Sequence, residues 1–486
     1  MRILFLDIDT TRPDHLGCYG YHRPTSPNLD RLAARGVRFE NYYVTDAPCL
    51  PSRAALFNGR FGIQTGVVNH GGVCAEMAGE GAARDFRWAP DRWSWTKVMR
   101  HHGLHTVSFS PFADRHSAWW FYHGFAEMHD TGKGGGERAD EITPLALDWI
   151  RRNGRTDNWF LHFNIWDPHT PYRTPESYGN PFAGMPPPSW MTEERRAAHF
   201  ASYGPHSAQD LYGYGPVPPK WPRVPAQIAS MEDYRRWIDG YDVGIHYADH
   251  HAGMVLDALA KEGVLDDTII MVSSDHGENQ GELNVYGDHQ TADHITSRVP
   301  LILCGPGIAQ GRVDRELRYN LDTPPTFAEL LGENPPAKWE GCSYLPSLKG
   351  EACPGRPYLV VSQCAWSCQR SVRFDRYILI RTYHDGLKDF PPVMLFDVVA
   401  DPHETRDLAH ARPDLVARGM GMLDEWHADA ISRSDCDSDP MWTVIREGGP
   451  HHARVGRQLS DYCRRLAATG REHLAEEIRK RHGLVR

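Results

Sequence analysis

Four short apolar runs along the chain end abruptly in polar residues able to do chemistry. Residues 3–6 end in Asp7-Ile8-Asp9-Thr10, and residues 106–109 lead into Pro111-Phe112-Ala113-Asp114-Arg115-His116. Residues 159–165 end in Trp166-Asp167-Pro168-His169, and residues 268–272 in Ser273-Ser274-Asp275-His276-Gly277. Continuous apolar runs of this length predict strands buried on both faces, as in a parallel sheet. Helical spacing lies between them. Asn28 is placed to cap a helix through Arg35, with Gly36 as its left-handed stop. Residues 234–259 predict a long helix directly before the strand that starts at Thr268. The alternation predicts an α/β fold with a large doubly wound, mostly parallel sheet flanked by helices. Ligands in such sheets bind beyond the carboxyl ends of the strands. That rule collects Asp9, Arg115, His116, His169, Asp275 and His276 at one edge.

The rest of the chain follows other patterns. Residues 172–227 are rich in Pro, Gly and Tyr, as in Pro186-Pro187-Pro188 and Tyr212-Gly213-Tyr214-Gly215. A long irregular stretch beside His169 reads equally as a lid over a pocket or as a passive surface excursion. After residue 345 the character changes. Residues 358–362, 371–374, 377–381 and 394–398 read as strands, and 413–428 and 454–482 as helices. The expected organisation is a catalytic α/β domain over 1–345 and a smaller C-terminal α+β subdomain with a helical tail over 346–486.

Composition narrows the function classes. The 486 residues carry 53 Lys and Arg against 63 Asp and Glu, a net charge of −10. That balance gives no support to nucleic-acid binding. No apolar run approaches the ~20 residues needed to cross a membrane. The first apolar run is too short for a signal-peptide core, so the chain reads as cytoplasmic. Ten cysteines in this length lack the density of a disulfide scaffold, and Cys364 and Cys368 lack CxxC spacing, so reduced thiols are expected.

Cys49 sits in a different context. Cys49-Leu50-Pro51-Ser52-Arg53-Ala54-Ala55-Leu56-Phe57-Asn58-Gly59-Arg60 reads as a loop entering a helix, with Pro51 in the first turn. Cys49 then lies at a helix N-terminus, where partial positive charge favours an anion. Arg53, from the same turn, can hold an anionic group bidentately. The bland alternative is a buried structural cysteine.

The segment resembles the signature of type I sulfatases, formylglycine-dependent enzymes of the alkaline phosphatase superfamily. Cys49-x-Pro51-Ser52-Arg53 with Leu56 and Gly59-Arg60 carries the resemblance. Upstream, Asp9-Thr10-Thr11-Arg12-Pro13-Asp14, Gly17-Cys18-Tyr19-Gly20 and Ser26-Pro27-Asn28-Leu29-Asp30 continue it. Downstream, Ser274-Asp275-His276-Gly277-Glu278, Arg298-Val299-Pro300-Leu301, Leu395-Phe396-Asp397 and Asp401-Pro402-His403-Glu404-Thr405 extend it over most of the chain. The resemblance implies that Cys49 is converted to formylglycine by a formylglycine-generating enzyme. Its hydrate would supply one hydroxyl to attack sulfur and a second to expel sulfate. It also implies one divalent cation held by Asp9, Asp275, His276 and the modified Cys49. Calcium comes first by resemblance. Carboxylates suit magnesium or manganese as well, and His276 tilts the set toward manganese or zinc. Thr10 stands where many members have a second Asp. Asp7 shares a strand face with Asp9 and reads either as an aid to the site or, preferred, as a paired buried carboxylate.

His169 matches the position of a family His near the leaving oxygen and is the candidate general acid. His289 lies where relatives carry a Lys or His on the sulfate. Arg115 and His116 are aligned with a family Lys and His that contact sulfate, although the surrounding motif departs from the family's. Trp119 and Trp120 read as core. His250-His251 and His451-His452 read as solvated pairs. The segment 446–452 offers one further option, reaching a neighbouring subunit's pocket in a homo-oligomer. His70 is a minor candidate for substrate contact. The expected activity is hydrolysis of a small sulfate monoester, of a sugar or another organic sulfate. Rival readings are a phosphonate monoester or phosphodiester hydrolase on the same fold, and a degenerate non-catalytic member.

Overall fold

In the computed structural model, residues 1–78, 92–214, 217–218 and 220–482 are described. An apolar run that does not alternate has to be covered on both faces. The first strand, β1 (Arg2–Ile8), meets that demand. Leu4, Leu6 and Ile8 enter one core, with Trp149, Ile150 and Trp237 from two helices. Ile3 and Phe5 enter the other, with Leu50, Phe57 and Trp95. Along the chain follow β2 (Gly36–Tyr43), β3 (Asp46–Ala47), β4 (His105–Phe109), β5 (Glu127–His129), β6 (Trp159–Ile165), β7 (Thr268–Ser273), β8 (Asn279–Gln280), β9 (Tyr286–Asp288), β10 (Leu301–Cys304) and β11 (Arg312–Tyr319). The large sheet has eight strands in the order β11-β2-β10-β7-β1-β6-β4-β5. Only β10 runs against its neighbours; the other pairings are parallel. The fold is the doubly wound α/β sheet with helices on both faces that the apolar runs predict.

Two local expectations differ from the structure, each for a physical reason. The helix after the first loop spans Pro27–Ala34, with Ser26 at its N-cap and no side-chain cap of its own. The Asp249 carboxylate, from the long helix Met231–Lys261, accepts the N–H groups of Asn28 and Leu29 at 3.1 and 2.9 Å. The cap comes from another element, so the local sequence does not reveal it. Gly36 is not a left-handed helix stop but the first residue of β2, paired with Cys304. A Cβ there would lie 2.0 Å from the Leu303 carbonyl oxygen. Gly36→Ala is therefore expected to cost about 2–3 kcal/mol, because backbone rather than a pliable side chain has to give. Urea unfolding of the variant checks this.

A second sheet contains β12 (Tyr358–Gln363), β13 (Cys368–Phe374), β14 (Tyr377–His384) and β15 (Val393–Asp397), all antiparallel. β3, from the segment just before Cys49, adds to it in parallel with β12, Ser362 opposite Asp46 and Gln363 opposite Ala47. The helix Pro413–Ser432 covers this sheet. The expected helix over 454–482 is two helices, Arg457–Ala468 and Glu472–Arg481, broken where Gly470 takes φ +75°. The ten cysteines are all unpaired. No helix among the described residues is long and apolar enough to cross a membrane.

The Pro- and Tyr-rich stretch after Tyr172 includes a helix, Glu193–Ala201; Gly215 of its Tyr-Gly motif lies outside the described residues. The stretch approaches the loop between β14 and β15, where a Cβ on Gly204 would lie 2.6 Å from the Lys388 side chain. Lys388 is buried and donates to the Asn284 carbonyl at 3.2 Å. Burial pulls its amine down to about 7, against the pull of Asp288 and Asp210. Between pH 7 and the ordinary lysine range the unfolded chain holds this proton and the folded chain does not. Stability from this group therefore rises with pH across that window and is lost as pH falls through 7. Lys388→Met is expected to flatten that slope, read as the difference in urea midpoints between pH 7 and pH 10.

Candidate active site

Polar residues that follow the central strands converge at the carboxyl end of the large sheet. Asp7 and Asp9 come from the end of β1, Asp275 and His276 from the turn after β7, and Cys49 and Arg53 from the helix Cys49–Asn58. This helix is buried along its whole length and starts at the site. Ligand atoms of Asp9, Cys49, Asp275 and His276 all lie within 4.8 Å of one another. So do those of Cys49, His276 and His289.

Cys49 Sγ lies 3.1 Å from His276 Nε2. The other ring nitrogen, Nδ1, is 2.8 Å from the Gly277 carbonyl. A carbonyl only accepts, so Nδ1 carries the proton and Nε2 turns a lone pair toward the sulfur. The Ser52 hydroxyl donates to the Asp275 carbonyl, and the Ser274 hydroxyl donates to the His276 carbonyl at 2.9 Å. These bonds fix the turn that presents Asp275 and His276. Thr10, with φ +53°, donates its N–H to Asp275 Oδ1 at 3.2 Å. Its side chain is buried without a hydrogen-bond partner.

Arg53 is the hub. Its guanidinium donates to Asp7 Oδ2 at 2.9 Å, to Asp9 Oδ2 at 3.3 Å and to Asp275 Oδ2. All four side chains are almost wholly buried. Burial pushes the Asp7 carboxyl up, but Arg53 and His162 more than offset this and hold it below its usual range. Asp7 is thus a paired buried carboxylate, with His162 Nε2 at 3.1 Å. Asp9 is the opposite case. Burial, and then the nearby Asp275 charge, push it well above the ordinary range, and its Oδ1 has no hydrogen-bond partner. Burial and the same two carboxylates push the Cys49 thiol well up. A buried carboxylate oxygen with nothing to bind, beside a second carboxylate and an imidazole, fits a divalent cation.

Several imidazoles cluster beside these carboxylates. The His289 ring lies 4.0 Å from that of His276 and 5.7 Å from that of His169. Its neighbour Asp288 is held by His206 at 3.0 Å. His169 Nδ1 donates to the Thr170 carbonyl, which leaves Nε2 open, and its ring stacks on Trp166 at 5.5 Å. His116 faces His70 at 4.9 Å between ring centres, and its Nε2 is buried without a partner. Arg115 is exposed at the rim, 5.0 Å over the Trp166 ring, and donates to the Gly134 carbonyl at 3.3 Å. Burial first, then neighbouring cationic or imidazole groups, hold His70, His116, His169 and His289 well below the ordinary histidine range.

Several residues read as bland in the sequence are placed differently by the fold. His452 is not a solvated histidine. Its Nε2 is 3.0 Å from His70 Nδ1 of the same chain, and its ring stacks on Trp366 at 4.6 Å. The 446–452 segment thus packs against His70 within its own chain. His250 is exposed, but His251 is buried against the Thr143 hydroxyl at 2.9 Å. Trp120 is core, whereas Trp119 is 39% exposed and donates to Glu76. Trp366 and His206 carried no signal in the sequence, because each joins the site only through folding; Trp166 and Asp288 stand beside His169 and His289 in sequence but were given no role. Arg12 and Asp14 brace the loop after β1 with Glu282, which also pairs with His403 at 2.9 Å. That contact ties the Asp401–Thr405 motif to the rear of the site.

Comparison with known proteins identifies the family. A family model described as Sulfatase matches residues 2–333. The chain is 25% identical to a choline-sulfatase of Rhizobium meliloti, over 79% of this chain and 77% of that protein. One similar solved structure, at TM-score 0.68 and 20% identity, is a complex with its substrate D-glucosamine-2-N,6-O-disulfate; the match covers 90% of this chain and 99% of that one. Another, at TM-score 0.67 and 21% identity, is a phosphonate monoester hydrolase from Silicibacter pomeroyi, matched over 91% of this chain and 97% of that one. The family match runs from β1 through the whole large sheet and takes in each of the strand ends that meet around Cys49. The chain therefore belongs to the sulfatase family and is a sulfuric ester hydrolase.

Proposed function

We propose that this enzyme hydrolyses the sulfate monoester of a small sulfated sugar or another small organic sulfate, at Cys49 after its conversion to formylglycine. The observation that carries the reading is the meeting of Cys49, at a helix N-terminus, with Asp9, Asp275 and His276 within 4.8 Å. A formylglycine-generating enzyme is the partner this requires. Formylglycine would supply a hydrated aldehyde with two hydroxyls where the thiol stands. Asp9, Asp275 and His276 would hold the divalent cation, calcium first and manganese, magnesium or zinc as alternatives, which offsets the charge of the ester.

The chain's own residues do the rest. The helix that starts at Cys49 directs N–H groups at incoming anionic oxygens. Arg53 keeps three carboxylates compact, so the position of residue 49 is fixed before substrate arrives. His289 and His116 offer ring nitrogens toward the sulfate oxygens. Burial holds both rings below the ordinary histidine range, and the charge of a bound anion would favour their protonated, donating forms. His169 presents Nε2 to the leaving oxygen while its Nδ1 stays on the Thr170 carbonyl. A neutral imidazole becomes a general acid only when a neighbouring anion raises its proton affinity, and the ester supplies that charge. Near the site, His70, His452 and Trp366 form one contiguous cluster, and Arg115 lies over the Trp166 ring.

Two measurements test the reading. Mass analysis of the peptide over 38–60 is expected to show the aldehyde in protein made with the converting enzyme and the plain thiol without it. Turnover of a panel of sulfated sugars, choline sulfate, an aryl sulfate, a phosphodiester and a phosphonate ester is expected to favour a sulfate ester. The likeness to a phosphonate monoester hydrolase makes dominant phosphonate turnover the outcome that would replace this reading.

A further inference from the structure

Two donor sets meet at Cys49, and they differ in chemistry. Asp9 and Asp275 are hard oxygen donors, both engaged by Arg53. Cys49, His276 and His289 form a sulfur and nitrogen set, equally compact and buried, with no carboxylate among them. His276 already turns its Nε2 lone pair to the sulfur at 3.1 Å. His289 is 5% exposed, and its Nδ1 has no hydrogen-bond partner. Its Nε2 faces Asp288 Oδ1 at 3.4 Å, which leaves Nδ1 as the nitrogen open to an ion. Asp288 Oδ1 also accepts the His289 backbone N–H at 2.7 Å, which holds the residue in place.

We propose that the unconverted chain, still carrying the Cys49 thiol, binds one zinc-class ion on Cys49, His276 and His289. One sulfur and two imidazole nitrogens suit zinc in a four-coordinate site, with water in the remaining place, and suit calcium or magnesium poorly. Binding replaces the thiol proton with the metal and releases one proton to solvent; nothing is oxidised or reduced. Conversion of Cys49 removes the sulfur. The mature protein loses this set and keeps the carboxylate-rich one, so maturation itself changes which metal the centre prefers. The inference goes beyond the hydrolytic reading and does not use turnover as its readout.

The test uses the full chain produced without the converting enzyme. Zinc X-ray absorption is expected to show one sulfur at about 2.3 Å together with imidazole nitrogens. Cobalt in place of zinc is expected to give a thiolate charge-transfer band that saturates at one ion per chain. A hundredfold excess of calcium should leave that band in place. Cys49→Ser should abolish the band, and His289→Ala should weaken binding by roughly tenfold or more. An absorption spectrum with oxygen and nitrogen neighbours only would overturn the proposal. So would a sulfur signal that survives in Cys49→Ser, or unchanged affinity in a folded His289→Ala. If His289→Ala does not fold, the sulfur and imidazole shells of the unchanged chain decide the matter alone. Absence of hydrolysis, by contrast, would bear on the proposed function and not on this site.

Discussion

Cys49→Ala is expected to lower sulfate ester hydrolysis by roughly 10⁴-fold or more, the scale on which loss of a nucleophile acts. The fold should persist. The side chain is small, and its removal from a buried position costs about 1–2 kcal/mol. The helix it begins is held by Leu50, Ala54 and Phe57 in the core and by Arg53 among three carboxylates. The measurement is a pair of numbers on the same preparation, initial rate with the best substrate of the panel and midpoint of urea unfolding. Substantial turnover by a folded Cys49→Ala protein would remove Cys49 from the mechanism. Cys49→Ser separates a second requirement. It restores one hydroxyl but not two, so repeated turnover should stay lost.

Arg53→Ala is the substitution expected to cost most in stability. Three carboxylates that are almost wholly buried, Asp7, Asp9 and Asp275, share this one guanidinium. Removing one partner of a buried ionic cluster costs about 3–5 kcal/mol, because the charges left behind remain out of water. Two secondary readouts separate this cause from lost packing. A divalent cation should recover part of the loss, since it supplies positive charge at Asp9 and Asp275. Acid should recover part too. Asp9 is held above its ordinary range by burial and Asp275. A group shifted upward in the fold favours the folded state below its unfolded range and loses that contribution as pH rises. The variant's deficit should therefore shrink as pH falls toward the carboxylate range. A deficit indifferent to both metal and pH would point to packing against Phe112, whose ring lies 5.1 Å from the guanidinium carbon.

Four of the eight strands of the large sheet, β1, β4, β6 and β7, were legible because burial on both faces leaves an unmistakable run of apolar residues. β6 is Trp159–Ile165, the span its apolar run predicts, and β1 extends its run by only a residue or two at each end. Residues at the tips of these strands could be gathered by topology alone, which is why Asp9, Asp275 and His276 were found together. The Pro27–Ala34 helix was misread at both ends for one reason. Its cap comes from Asp249 and its following glycine answers to the Leu303 carbonyl, and both partners lie more than 200 positions away. His452 and Trp366 escaped for a related reason. A histidine doublet and a tryptophan in a hairpin have no periodicity that marks them, and only the packing of the C-terminal segment against His70 gives them a place.

The short pairing of β3 with β12 has a consequence for how the protein is made. Asp46 and Ala47 take their register from Ser362 and Gln363, which leave the ribosome about 300 residues after Cys49. At ~5–20 residues per second, translation leaves a delay of about 15–60 s before that docking strand exists. During this interval the nascent stretch around Cys49 lacks the sheet edge that later encloses it. If Cys49 is converted as proposed, the stretch is open to the converting enzyme before β12 exists and buried once the sheet has formed.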